Sequence, residues 1–519
     1  MRQSKTRAFS LVASTTILFL AASAHAAEFY VDPAKGSAGG DGSAAKPWQS
    51  LEQLVTDGAF GTTIKAGDTV WLRSGYHGDP VFSGGDYTPA ITIAAAPGEK
   101  PTAAAVTFKA TKGWTLRGLS ISPSHAPTPS VGGDIVLIDP SSARVTVEDN
   151  QIFSVIDSSA WGADEWINTA SNGIFMRGEG CVARNNSITN VRFGISVNGK
   201  GALVEKNSIV NFSADGLRGL GDDGVFQYNL VKNVYVSSDA GDSNHDDGFQ
   251  SWSNGPDGVG TSVVKNIVLR GNVFINREDP NQKLSASMQG IGCFDGFFEG
   301  WVVENNVVVV NHWHGISFYG MRNSRIVNNT VIDMNDTDPG PPWIKVTAHK
   351  NGMASENVIV RNNLATSLQL EGTNVTDDHN TKLTDLASFF VDPAKFDLHL
   401  LPGSPAVDSG STDMAPALDA AGIPRPQGAG IDLGAYEWHE PGVDPVDVGS
   451  GGNGGAGGSA TGTGGQGGSG AAGAEAPESQ GGCGCTIEDR SSPHGLWALA
   501  GLAMGAVRRR RGREKNRPV

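Results

Sequence analysis

Short apolar stretches of alternating polarity recur along the chain, each closed by an asparagine. The phrase is a strand, then Asn, any residue and an apolar residue. It reads VTVEDNQI at Asn150, CVARNNSI at Asn186, ALVEKNSI at Asn207 and GVFQYNLV at Asn229. It continues as IVLRGNVF at Asn272, WVVENNVV at Asn306, SRIVNNTV at Asn329 and VIVRNNLA at Asn363. The tightest spacings are 21, 22 and 23 residues, and longer ones of 34 to 43 leave room for inserted loops. A second phrase, Gly then an apolar residue, precedes most of these: Gly173-Ile174, Gly194-Ile195, Gly216-Leu217, Gly248-Phe249, Gly290-Ile291 and Gly315-Ile316. Strand side chains alternate with period 2, so two or three short strands per repeat, broken at Asn and Gly, predict the coils of a parallel β-helix. Asn tolerates the left-handed backbone of a tight turn, and stacked Asn side chains bond to one another's backbones. An antiparallel sandwich has no fixed repeat of this length.

The flanking segments fit a solenoid's ends. Glu28 to Asp32, Asp41-Gly42 and Lys46-Pro47-Trp48 lead into an amphipathic stretch, Gln49 to Val55, which predicts a short capping helix. Gly67-Asp68-Thr69-Val70-Trp71-Leu72-Arg73, followed by Gly75-Tyr76, resembles the first coil of bacterial pectate-lyase-like proteins. Leu401-Pro402-Gly403-Ser404-Pro405-Ala406-Val407-Asp408, with Asp432-Leu433-Gly434-Ala435-Tyr436-Glu437, resembles the closing segment of bacterial surface β-helices. These resemblances span nearly all of residues 28 to 438. They imply an all-β, right-handed parallel β-helix with an N-terminal capping helix over residues 27 to 441, a fold rather than an activity.

The ends of the chain place this body outside the cytoplasm. Arg2, Lys5 and Arg7, the apolar run Ala8 to Ala22 and the small residues Ala24-His25-Ala26 predict a secretory signal over residues 1 to 26. Residues 442 to 482 are a Gly-rich linker that can bury no core. The last stretch, 483 to 519, holds Cys483-Gly484-Cys485, an apolar run Gly495 to Val507 and the cluster Arg508 to Arg511. That order resembles the C-terminal sorting tail of myxobacterial surface proteins, which implies display on the cell surface or outer membrane, with processing near the cysteines. A simple tail anchor is the alternative, although 13 residues is short for a bilayer span of about 20.

Setting aside the three basic residues of the signal, and the seven basic and one acidic residue from Arg508 onward, leaves 29 basic and 53 acidic side chains, a net charge of −24. Such a body excludes nucleic acid as a partner and repels polyanions except through a basic groove or bridging cations. The chain has four cysteines. Cys181 and Cys293 fall four coils apart in the repeat, about 19 Å at strand spacing, beyond disulfide reach. Both are expected to be free and buried, and the body is expected to be monomeric.

Reading the residues around each Gly across successive coils gives a candidate surface strip. The column before the Gly runs Asn172, Phe193, Asp215, Asp247, Gln289, His314. The column after the Ile runs Phe175, Ser196, Arg218, Gln250, Gly292, Ser317, with Lys345 continuing it. Neighbours in such columns lie about 5 Å apart, so Asp215, Arg218, Asp247, Gln250, His314 and Lys345 are predicted to line one groove. Trp252, Trp313, Tyr319 and Trp343 flank it as candidate sugar-stacking rings; packing of inserted loops is the equal alternative. Asp242 to Gln250 is the densest cluster: Asp242 and Asp246 are candidate Ca²⁺ ligands, and His245 and Asp247 candidate acid–base groups. An acidic turn that merely caps a coil is the plain alternative.

The order Asp215, Asp246-Asp247, His314-Gly315, Ile344-Lys345 is similar to the motif order of the polygalacturonase family. There the resemblance implies that the Asp residues activate water and protonate the leaving oxygen, while His and Lys assist. An extra coil at Gln289-Gly290, the lack of an Arg before Ile344, and Asn244-His245-Asp246 in place of Asn-Thr-Asp depart from it. The expected function is a polysaccharide lyase-like enzyme on a uronate-containing glycan, with Arg218 or Ca²⁺ neutralising the carboxylate and Lys345 or a His as base. A non-catalytic glycan-binding or adhesive β-helix, and a polygalacturonase-like hydrolase, are the alternatives. His312 and His349 are expected on the solvated surface, and Gly221-Asp222-Asp223-Gly224 as a turn.

Overall fold

The computed structural model describes residues 26 to 446, apart from 131, 237 to 241, 243 and 336. The expected signal through residue 25, the linker from 447 and the tail lie outside them. Among the described residues no helix is long and apolar enough to cross a membrane.

Strand follows strand in a fixed cycle. Each coil contributes one short strand to a first sheet, turns at the Asn phrase into a second sheet, bends at the Gly phrase into a third, and returns. The result is three parallel sheets of 15, 12 and 11 strands, in which each strand pairs in register with its counterpart one coil on. Val182–Arg184, for example, pairs with Leu203–Glu205, and Ile195–Val197 with Asp215–Gly219. Parallel pairing throughout these three sheets excludes the sandwich; among the described strands only two short hairpins, Asn254–Gly255 with Gly258–Val259 and Phe390–Asp392 with Asp397–Leu400, pair antiparallel. The parallel pairing makes the body a parallel β-helix, with the right-handed sense of such connections.

The Asn turn and the Gly bend have different physical causes. In the Asn turn the left-handed residue is the one before the repeated Asn: Asp149, Asn185, Lys206, Tyr228, Gly271, Asn305, Asn328 and Asn362 all have positive φ. The expectation that the repeated Asn itself takes this backbone is therefore corrected. The repeated Asn is instead a buried hydrogen-bond bridge between coils. Each donates its backbone and side-chain amides to the next side-chain carbonyl, from Asn150 through Asn363 to Asn380. At the Gly bend the reason is room. A Cβ on Gly194 would lie 2.3 Å from the Gly216 carbonyl oxygen, and one on Gly216 would lie 2.2 Å from Val231 Cγ1.

Inside the coils, Ile174, Ile195, Leu217, Phe249, Ile291, Ile316 and Ile344 form one buried row from the third sheet. Cys181 and Cys293 are free and buried, as expected. The N-terminal end is closed by a helix, Leu51–Thr56, whose Leu51 and Leu54 point into the core and whose first turn is capped by Ser50. Coil strands end at Thr381–Lys382. The remaining residues do not extend the helix but pack on the outer face of the second sheet. There Leu398, Leu400, Ala406, Leu433 and Ala435 meet Val307, Val309, Ile332 and Leu364. This explains why Val307–Val310 is apolar on both faces. A fully buried Arg425–Glu437 pair at 2.7 Å ties this segment down, and Arg425 Nη2 also donates to the Gly434 carbonyl.

Candidate active site

The bend at each Gly turns the residue before it outward, so it stands beside the residue three positions on. The two columns therefore touch within each coil: Asp215 with Arg218, Asp247 with Gln250 and His314 with Ser317. Between coils the register runs Asp215 to Asp247 to Gln289, and Arg218 to Gln250 to Gly292 to Ser317 to Lys345.

Asp215 is buried and well served. Arg218 Nε donates to one oxygen, while Asn244 Nδ2 and the Asp247 backbone N–H donate to the other, each at 3.2 Å. Burial raises its carboxyl, and Arg218 opposes that. Donors thus reach both of its oxygens. Arg218 is equally committed. Its Nη2 donates to Asn244 Oδ1 at 2.9 Å, and its guanidinium sits 3.9 Å over the Phe193 ring and 5.2 Å from Trp252. Trp252, 7% exposed, is thus a wall for Arg218 rather than an open sugar platform.

One coil on, Asp247 is wholly buried. Gln250 Nε2 donates to its Oδ2 at 2.9 Å, but its Oδ1 meets no donor among the described residues. Burial, then the Asp215 charge, hold its carboxyl well above the usual range. Asp246 behaves alike, raised by burial and then by Asp215, Asp242 and Asp247. Asp242 accepts from Arg192 Nη2 at 2.9 Å and from the Asn244 N–H. Asp242 Oδ2, Asp246 Oδ1 and Gln289 Oε1 are, like Asp247 Oδ1, buried without a donor among the described residues. Half-buried His245 lies beside them, its Nδ1 3.5 Å from Gln289 Nε2. No three His, Cys, Asp or Glu side chains among the described residues converge as metal ligands.

The predicted groove divides here. His314 is two coils beyond Asp247, about 10 Å at strand spacing, and Lys345 three coils beyond, about 14 Å. His314 Nδ1 lies 2.9 Å from Ser317 Oγ, which also accepts from Trp343 Nε1 at 3.0 Å. Burial pushes His312 down to about 4 and His314 down to about 3. Lys345 donates to Gln369 Oε1 at 2.7 Å and lies over Trp343. Trp313 is 42% exposed and Tyr319 packs edge-on against Phe294. The expectation of solvated histidines is corrected at both positions. His312 is half-buried against His314, and His349 is 8% exposed, accepting from the Gly296 N–H. Gly221 to Gly224 does form a turn, with Asp223 paired to Lys200.

Sequence reasoning thus found the acidic members of the cluster. Gln289 and Gly292 were visible in the columns but had no assigned role. Arg192 could not be found, because only the fold brings it to Asp242 across 50 residues.

No protein-family model and no curated protein matches the sequence. Among solved structures the chain is similar to pectate lyase Pel9A, at 14% identity over 79% of this chain and 96% of that one, with a TM-score of 0.42. It is also similar to a rhamnogalacturonan lyase, at 13% identity over 70% and 90%, TM-score 0.38. A third is a mannuronic acid specific family 6 polysaccharide lyase from human gut microbiota, at 14% over 69% and 87%, TM-score 0.39. The fold itself stands on the strand register described above.

Proposed function

We propose that this protein is a glycan-cleaving enzyme, with the polysaccharide laid along the third sheet and the reaction centred on Asp246, Asp247 and their neighbours. The observation that carries this reading is a set of buried oxygens without protein partners among the described residues, which sugar hydroxyls, able both to donate and to accept, can pair with. Asp242 Oδ2, Asp246 Oδ1, Asp247 Oδ1 and Gln289 Oε1 are buried together without donors among the described residues. A buried acceptor left unpaired costs about 1–3 kcal/mol, and a sugar brings hydroxyl donors in number. Asp246 and Asp247, whose surroundings favour the protonated carboxyl, supply a proton to a leaving glycosidic oxygen. Asp215, paired with Arg218, would put negative charge where a glycosyl cation develops.

His245 favours a second reading, elimination from a uronate. A half-buried imidazole at the edge of the same cluster would take the sugar ring proton. A hard cation such as Ca²⁺ on Asp242 and Asp246 would need further ligands from substrate and water. The sequence pattern at both ends supports export and tethering at the surface, which protease shaving of intact cells tests. A monomer, checked by light scattering, completes the proposal.

Purified protein is mixed with polygalacturonate, alginate, xylan and galactomannan, with Ca²⁺ and with chelator, following new reducing ends and unsaturated-uronate absorbance. Reducing ends without absorbance are expected for the acid–base reading, and both together, lost with chelator, for elimination. Silence in both overturns the enzymatic reading, and retained glycan binding would then make the chain an adhesive or binding β-helix.

A further inference from the structure

Two positions along each strand from the outward residues Ser196, Arg218 and Gln250 stand Asn198, Leu220 and Trp252, on the same face of the third sheet. The ladder carries on past the strand end, the Leu220 N–H donating to the Val197 carbonyl at 2.8 Å. These three side chains border an open cleft of about 330 Å³. It lies beside the site rather than along the stack of coils, about 7 Å across the sheet from the Arg218 row. Trp252 belongs to both, lining the cleft while its ring stands 5.2 Å from the Arg218 guanidinium. The walls are held in place. One is the insertion after Trp252, closed at its base by Ser253, whose N–H donates to the Asp295 carbonyl at 3.0 Å and whose Oγ accepts from the Ser262 N–H at 3.0 Å. Another is the turn at Gly221, where Lys200 pairs with Asp223 at 2.8 Å and Asp222 Oδ1 accepts from the Lys265 N–H at 2.8 Å.

We propose that this cleft is a branch subsite, taking a single neutral sugar carried as a side group on the glycan whose main chain lies along the third sheet. The proposal rests on the glycan-cleaving reading and deepens it. Leu220, Trp252 and Val263 give the cleft apolar surface for a sugar ring, and Asn198 and Asn254 bring amides that donate to and accept from its hydroxyls. Ligand pockets begin at about 300 Å³, so there is room for one unit and not for a chain. The one ammonium, Lys200, faces two carboxylates, Asp222 and Asp223, which leaves no surplus positive charge for an acidic sugar. The main chain follows the stacked coils, whereas the cleft lies sideways, so the unit that fills it is one that leaves the main chain. Trp252 ties the two together, since the ring that borders the side sugar also backs Arg218.

The test uses the full protein and two variants at exposed positions, Asn198→Trp, which fills the cleft, and Asn254→Ala, which removes an amide from its rim. Galactomannan, arabinoxylan and branched pectin are each compared with the same glycan stripped enzymatically of its side sugars. New reducing ends and affinity electrophoresis are followed beside thermal unfolding. The wild type is expected to favour the branched form of the glycan it cleaves about tenfold in kcat/KM, equivalent to about 1.4 kcal/mol. Asn198→Trp should lose that preference and Asn254→Ala should reduce it to about threefold, both unfolding near the wild-type temperature. A merely structural role would lower stability and leave the ratio between the two forms unchanged. A wild type that cleaves the bare form as fast as the branched one, or only unbranched glycans, overturns the subsite while leaving the enzymatic reading intact. Folded variants that keep the full preference do the same. Binding without cleavage overturns the enzymatic reading alone where electrophoresis shows the preference, and both where it does not. A protein that neither binds nor cleaves any of these glycans overturns both.

Discussion

The Asn ladder and the acidic column are both buried polar stacks, one at each bend flanking the second sheet, yet they are completed to different degrees. Asn272 shows the first kind. Its Oδ1 accepts from the backbone and side-chain amides of Asn229, and its Nδ2 donates to the Phe226 carbonyl and to Asn306 Oδ1, all within 3.1 Å. Asp247 shows the second: one oxygen served by Gln250, the other by nothing among the described residues, with Gln289 Oε1 equally bare above it. A buried stack whose groups are all paired holds coils together; one that keeps acceptors in reserve is prepared for a donor from outside. Polar burial alone therefore does not mark function, and the bookkeeping of hydrogen bonds does.

The sharpest break of this contrast is Asn272→Leu. It strands two donors on Asn229 and the Phe226 carbonyl, while Asn306 Oδ1 keeps only the backbone N–H of residue 272, so urea unfolding should show a loss of about 3–5 kcal/mol. Asp247→Asn should do the reverse. Its amide is neutral, as burial and the Asp215 charge favour for the Asp247 carboxyl, so stability stays level or rises by up to about 1 kcal/mol, while turnover falls about 100-fold or more.

This difference was only half legible in the sequence. The Asn ladder repeats one residue per coil, so its positions could be read off directly, although its left-handed residue is the preceding one. The Gly phrase also gave the register of Asp215, Asp247, Gln289 and His314, because the bend needs Gly for room. What pairs with what was hidden. Arg218 is held by Asp215, Asn244 and two aromatic rings, and Lys345 by Gln369, so neither is the free cation that its column position suggested. Such choices depend on contacts made by Asp242 and Asn244 and on the C-terminal segment folding back over Val307 and Val309, contacts that no local pattern encodes.

Acid titration separates the two halves of the groove. The carboxyls of Asp246 and Asp247 are raised above the unfolded value of 3.8. Their contribution to stability is thus full below that value and lost as pH rises through the folded one. His312 and His314 are depressed from 6.5 to about 4 and about 3. Their contribution is full above pH 6.5 and lost as pH falls toward those values. Urea unfolding at a series of pH values should therefore show a shallower acid-side loss between pH 6.5 and 4 in His314→Gln, and a shallower loss on raising pH above 4 in Asp247→Asn. The smallest effect is expected at Trp313, 42% exposed beside the groove. Trp313→Ala should leave stability within about 0.5 kcal/mol and weaken glycan binding about threefold, read by affinity electrophoresis.

The most direct test of the central claim compares wild type and Asp247→Asn for unfolding free energy and for release of reducing ends from whichever polysaccharide the wild type cleaves. The account predicts a variant at least as stable as the wild type and almost inactive. A variant that keeps wild-type turnover, or one that loses activity only in step with lost stability, would show that the acidic column is another structural stack and contradict the account.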